Sequence, residues 1–282
     1  MLEIKPTYDL KKLLFLFLFI PLVFRCSDDS SDVPNLNNDD TPKVISFTRE
    51  RSGCELITST HNLVYENNRV VSGESRGGKY ILTGECSDED WFVYSFTVQY
   101  ENDKIASIYS IYEIENGQVS NKSRTDNFQY NNLGLISSKE TIVYENENIT
   151  IYSFHQYEWE NNNLTMNVYQ QDGVNTDILH LNQINNYDSN FNMLTQVNAP
   201  NTEYEFTVTR QINYDVLLPV FPVGLYGSIS YAQNGLISQS QSNEDSIEFY
   251  NYEINENGYP NSVTRTVSDN PDFYSITRYY YD

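Results

Sequence analysis

Apolar and polar residues alternate along most of this chain with a period of two. From Trp91 to Tyr100 one face carries Phe92, Tyr94, Phe96, Val98 and Tyr100, while Val93, Ser95, Thr97 and Gln99 fall between them. That alternation predicts a half-buried antiparallel strand. Tyr204, Phe206, Val208, Ile212 and Tyr214 repeat the pattern, with Arg210 intruding on the apolar face. From Ile151 to Trp159 both faces carry aromatic residues, so strands covered on both sides, or aromatic ladders exposed on one, are expected there. Helical periodicity is almost absent.

The turns between these stretches form an internal repeat. Tyr65-Glu66-Asn67-Asn68, Tyr100-Glu101-Asn102-Asp103, Tyr130-Asn131-Asn132-Leu133-Gly134, Trp159-Glu160-Asn161-Asn162, Tyr187-Asp188-Ser189-Asn190 and Tyr231-Ala232-Gln233-Asn234-Gly235 each follow an aromatic with an Asn- or Gly-rich turn, and Asn257-Gly258 lies between Tyr252 and Tyr259. Asn and Gly tolerate the positive φ of tight hairpin turns. The spacing corresponds to about two hairpins per repeat and roughly 15 to 18 strands. The expected fold is all-β: an antiparallel meander of repeated hairpins over residues 43–282, forming a long twisted sheet, open or curled on itself.

This pattern resembles the Tyr-Asp repeats of Rhs-type proteins, and more closely the degenerate hairpin-repeat lipoproteins of Bacteroidota, from Tyr65 to Asp282. True Tyr-Asp pairs occur at Tyr187-Asp188, Tyr214-Asp215 and Tyr281-Asp282. The irregular spacing departs from a closed Rhs-like shell. Acidic side chains are expected to protect the sheet edges.

The first 42 residues are organised differently. Lys11-Lys12 precede an apolar run of twelve residues, Leu13 to Phe24, and Cys26 is followed by Ser27-Asp28-Asp29-Ser30-Ser31-Asp32. A run of that length fits a cleaved export signal and falls short of the roughly 20 residues of a membrane span. Val23-Phe24-Arg25-Cys26 resembles a lipobox, although Arg25 stands where that motif prefers a small residue. The resemblance implies acylation of Cys26 and anchoring in the outer membrane. Asp28, Asp29 and Asp32 resemble the surface-export signal of Bacteroidota lipoproteins. Residues 1–25 are thus assigned to the signal, 26–42 to an acidic flexible tether and 43–282 to one domain.

Cys54 and Cys86 remain for pairing, and a disulfide is expected in an oxidising compartment. It would close a loop of about 32 residues, worth roughly 3 to 4 kcal/mol in the chain-entropy model. The whole chain holds 17 basic and 39 acidic residues. Removing residues 1–25 takes away four basic and two acidic ones, leaving 13 against 37. A chain so acidic is a poor partner for nucleic acid. Its 24 tyrosines mark a folded protein.

No catalytic pattern stands out. Gly73-Glu74-Ser75-Arg76-Gly77 matches the Gly-x-Ser-x-Gly elbow, but the strand-like Lys79-Tyr80-Ile81-Leu82 follows where the elbow needs a helix, so a hairpin loop is expected. Asp88, Glu89 and Asp90 beside Trp91 read as a solvated loop before a strand. Residues 172–177 and 187–190 offer oxygens to calcium without the spacing of an EF-hand, and His61, His155 and His180 lack zinc-ligand spacing. No metal or cofactor is expected, with calcium as the minor alternative. The leading expectation is a non-catalytic binding module for a glycan or an outer-membrane partner, with Trp91 and Trp159 as candidate stacking residues. The alternatives are a structural or adhesive protein whose aromatics are sheet ladders, and a glycan-active hydrolase. The apolar segment from Val216 to Tyr226 reads either as a buried crossover closing the core, the favoured form, or as an exposed contact loop.

Overall fold

The computed structural model describes residues 42–52, 54–80, 86–160, 162–171, 178–218 and 234–282. The signal and tether residues, including Cys26, Asp28, Asp29 and Asp32, lie outside them, as do 172–177 and most of the segment from Val216 to Tyr226. Among the described residues, seventeen strands follow one another. They are β1 (Val44–Arg51), β2 (Cys54–Glu66), β3 (Arg69–Tyr80), β4 (Cys86–Glu101), β5 (Lys104–Glu115), β6 (Gln118–Val119), β7 (Lys122–Tyr130), β8 (Ile136–Glu145) and β9 (Asn148–Glu160). After these come β10 (Asn163–Gln171), β11 (Ile178–Tyr187), β12 (Met193–Asn198), β13 (Phe206–Leu217), β14 (Asn234–Gln241), β15 (Ile247–Ile254), β16 (Pro260–Val267) and β17 (Asn270–Tyr281).

Apart from β6 and β7, each strand pairs antiparallel with its sequence neighbours, and β1 pairs with both β2 and β17. The sheet is therefore a closed barrel. Neither the open sheet nor the sheet merely curled on itself, the two forms expected from the repeat pattern, occurs, because β1 precedes the repeats and joins their two ends. β5 pairs with both β6 and β7, so these two are segments of one stave and the wall has sixteen. Sixteen strands about 4.8 Å apart make a perimeter of roughly 77 Å, more than one layer of side chains fills.

Turn chemistry explains the hairpins. Asn67-Asn68, Asn102-Asp103 and Asn146-Glu147 all have positive φ at both positions, the geometry of a two-residue turn. A second turn type recurs three times. The Asn131 side-chain oxygen accepts from the N–H groups of Leu133 and Leu135, that of Asp188 from Asn190 and Asn192, and that of Asn255 from Asn257 and Tyr259. These turns share one rim, here the upper rim, where β1 also begins and β17 ends. The opposite, lower rim carries the turns at 116–117, 146–147 and 199–205.

Below the upper rim, inward residues of β2 to β11 form an apolar layer that includes Leu63, Phe96, Ile108, Phe128, Tyr157 and Leu164. Rings tie successive hairpins together. Tyr100 donates its hydroxyl to the Val70 carbonyl (3.1 Å), Tyr130 to Ile105 (2.9 Å) and Tyr281 to Pro260 (2.7 Å), while the Trp159 indole N–H donates to Ile136 (3.0 Å). Arg69 and Lys104 cover the rings of Tyr100 and Tyr130. Tyr100, Tyr130, Trp159 and Tyr281 are thus latches onto the preceding hairpin.

The outer face repeats a polar rung at four places. Ser107 bonds Gln99, Ser138 bonds Gln129, Ser238 bonds Gln211 and Ser262 bonds Glu253, each pair directly opposed across its hairpin. Glu74 with Arg76, and Glu50 with Arg278, add outward ion pairs. Among the described residues, no helix is long and apolar enough to cross a membrane.

Candidate functional site

The polar residues gather on the inner wall under the apolar layer. Register places them: Asp126 lies opposite Thr141 and Thr141 opposite Ser153, while Lys139 lies between Phe128 and His155. β7, β8 and β9 thus present Arg124, Asp126, Lys139, Thr141, Ser153 and His155 on one inward face. Arg124 grips Asp126 with two nitrogens, at 2.8 and 2.9 Å, and the Thr141 hydroxyl donates to the same carboxylate. Lys139 is 5% exposed and makes no ion pair or side-chain hydrogen bond among the described residues. Burial pushes its ammonium down in pKa, Asp126 opposes that and Arg124 adds to it. Burial, then the Lys139 charge, lowers His155 to about 4, so its ring is neutral at pH 7. Ser153 Oγ lies 3.3 Å from His155 Nε2.

Further round the wall, β11, β12 and β13 supply a belt of amides. Gln183 and Gln196 both donate to the Asn198 side-chain oxygen, and Arg210 donates to Gln196 (3.2 Å) and meets Met193 sulfur. Asn185 Oδ1 and Asn198 Nδ2 are buried and have no partner among the described residues. Arg210, conspicuous in the sequence as a charge on an apolar face, therefore belongs to the inner wall. On the neighbouring arc Arg265 bonds Glu248, and Tyr250 donates to the same carboxylate.

A third inward group lies on β2 and β3. Gly73, Ser75 and Gly77 share the inner face of β3, opposite Leu63, His61 and Ser59. The Gly-x-Ser-x-Gly stretch is the middle of a strand and not the expected hairpin loop. Its first glycine is needed because a Cβ there would meet the Asn62 carbonyl and the Phe96 ring, each at 2.5 Å. Ser75, fully buried, lies 2.8 Å from His61 Nδ1, and the imidazole stacks on Phe47 with ring centres 4.3 Å apart. Burial and the Arg49 charge lower His61 to about 4.

The two tryptophans are not brought together. Trp91 lies near the lower rim, where its carbonyl accepts from Gly117 N–H at 2.9 Å and its ring lies beside that glycine. Trp159 lies near the upper rim against Tyr187 and Phe191 and serves as a latch. Cys54 and Cys86 open the two strands flanking β3 at the lower rim, and their side chains lie outside those described, as do those of Asp88, Glu89 and Asp90. The Asp188 carboxylate is occupied by Asn190, Asn192 and Tyr214, and no group of three metal-ligating side chains occurs among the described residues. The sequence offered no pointer to Lys139, Asn185 or Asn198, although polar residues at inward positions of an alternating pattern are the signal that would find them.

No protein-family model matches the chain, and no curated protein matches it. Among solved structures it is similar to a porin-like protein from Bacteroides uniformis, with 14% identity over 86% of this chain and 98% of that one, at a TM-score of 0.39. It is also similar to a porin-like protein from Bacteroides vulgatus, with 12% identity over 85% and 99% and a TM-score of 0.45. A Tc holotoxin pore structure from Photorhabdus luminescens matches 77% of this chain over 12% of its own, with 9% identity and a TM-score of 0.21. The closed wall rests on the strand pairings of this chain itself.

Proposed function

We propose that this protein is a lipid-anchored barrel of the outer membrane that binds a glycan, without catalysis, on the inner wall of its lumen. The observation that carries the reading is the amide belt, where the buried Asn185 oxygen and Asn198 amide nitrogen have no partner among the described residues. Buried polar atoms are ordinarily satisfied, and an unpaired acceptor beside an unpaired donor is the complement of a sugar hydroxyl. Aromatic and amide side chains along the same wall would orient such a ligand.

Three further features support parts of this reading. The signal, Cys26 and the Asp28, Asp29 and Asp32 run favour export and acylation. The outward rungs and ion pairs favour a wall bathed in water, because lipid-facing positions of a spanning barrel form an apolar band and charges there cost about 2 to 4 kcal/mol near the midplane. A Ser75–His61 dyad is disfavoured as a catalyst, since the imidazole would have to take a proton beside Arg49. Cys54 and Cys86 are assigned to a disulfide, which a thiol assay on the denatured, unreduced protein checks.

The test is a glycan array with the purified mature protein, with and without calcium. Binding lost on Asn198→Leu, in a variant that unfolds at the wild-type temperature, supports the reading. Binding that survives Asn198→Leu and Asn185→Leu, or depends on Trp91 alone, sinks it. Metabolic labelling with a palmitate analogue that left Cys26 unmodified would remove the anchor.

A further inference from the structure

We propose that the ligand of the lumen is a negatively charged saccharide whose carboxylate or sulfate is held by the ammonium of Lys139. This rests on the glycan-binding reading above and names the class of glycan.

The argument begins with where charge lies. Among the described residues, strand register places Arg49, Arg51, Lys122, Arg124, Lys139, Arg210 and Arg265 on the inner wall, against Glu115, Asp126, Glu145 and Glu248. Three of these carboxylates are already bound to cations, Glu115 by Lys122, Asp126 by Arg124 and Glu248 by Arg265. Seven cations against four anions leave an inward surplus of three positive charges among the described residues, in a chain whose net charge is −22. Of the thirteen basic residues after residue 25, seven face inward, whereas most of the acids lie elsewhere. Charges behind low-dielectric walls focus their field into the enclosed space, whereas the acidic exterior is screened within about 8 Å at physiological salt.

Lys139 is the point where this surplus is sharpest. Lysine is almost never buried without a partner, because removing an ammonium from water is costly. At 5% exposure this one has an aromatic ring, Phe128, on one side and the neutral imidazole of His155 on the other, and Asp126 is committed to Arg124 and Thr141. The residue is tolerated in such surroundings if the counter-charge arrives with a ligand. The hydroxyl and imidazole of Ser153 and His155 stand beside it to bond the sugar's oxygens.

Calorimetric titration of the purified mature protein with an oligogalacturonate, a sulfated dextran oligomer, a neutral dextran oligomer and inorganic sulfate tests this. The expected result is binding of one acidic oligomer, weakened about tenfold or more by Lys139→Met and also by high salt, with the neutral oligomer much weaker. Lys139→Gln serves if the Met variant does not fold. Equal binding of neutral and acidic oligomers, or unchanged acidic binding in a folded Lys139 variant, overturns the charge assignment while the glycan-binding function stands. Failure of every oligomer to bind removes that function itself, and inorganic sulfate binding alone would overturn the saccharide class.

Discussion

The backbone N–H of Asp282 donates to the carbonyl of Lys43 at 3.0 Å, so the last residue of the chain is hydrogen-bonded to one that precedes the first strand. Beyond that bond, Tyr281 pairs with Val44 and Tyr279 with Phe47, and the ladder continues to Ser275 opposite Arg51. Among the described residues, this seam is the only place where the barrel depends on pairing across nearly the full length of the sequence.

Removing residues 270–282 should therefore do more than shorten the chain. It exposes the edges of β1 and β16 together, and unpaired edges invite association. The expected outcome is loss of a single cooperative unfolding transition and appearance of oligomers in size-exclusion chromatography. Removing residues 1–41 leaves the seam intact and should change neither.

The ring latches predict small and local costs. Tyr130→Phe keeps the ring and removes one hydrogen bond to Ile105, for about 1 kcal/mol measured by urea unfolding. Tyr281→Phe should cost a similar amount through Pro260. Tyr204, which is 75% exposed in a turn, has no such bond among the described residues, and Tyr204→Phe should be neutral.

Gly73 carries a steric prediction. Gly73→Ala places a methyl group against a backbone oxygen and a ring, neither of which is a flexible chain end, and should cost about 1 to 3 kcal/mol. Gly73→Ala combined with Phe96→Leu should recover part of that, since the Asn62 carbonyl stays in place.

Acid should weaken the barrel in a defined window. His61 and His155 titrate near 4 in the folded protein and near 6.5 when unfolded. Between those values the unfolded chain binds more protons, so stability is full above pH 6.5 and falls as pH drops toward 4, by about 2 to 3 kcal/mol for each ring. His61→Gln and His155→Gln should each flatten the dependence of the urea midpoint on pH across that window. A slope unchanged in both variants would assign the acid sensitivity to carboxylates instead.

Strand content and turn positions were legible because alternation and Asn-Gly chemistry are local. The face carrying Phe92, Phe96 and Val98 turned inward as its pattern implied, and Arg210 was visible as an exception before its role was. Closure was hidden, because β1 finds β17 more than two hundred residues away and no local period records such a pairing. The candidate site was hidden for a related reason. Lys139, Asp126 and His155 lie on three strands, and only the register between those strands puts them side by side. Trp91 and Trp159 drew attention by residue type, yet one lies by a rim glycine and the other latches a hairpin.

Every contact around the wall is antiparallel, and that has an arithmetic consequence. A ring of alternating directions closes only with an even number of staves, so a single strand can be neither gained nor lost. Descent of such a chain must proceed by whole hairpins, duplicated or deleted as pairs, with the bore widening or narrowing by two strands at a step. The split stave made of β6 and β7 shows how an interruption is absorbed without changing that parity.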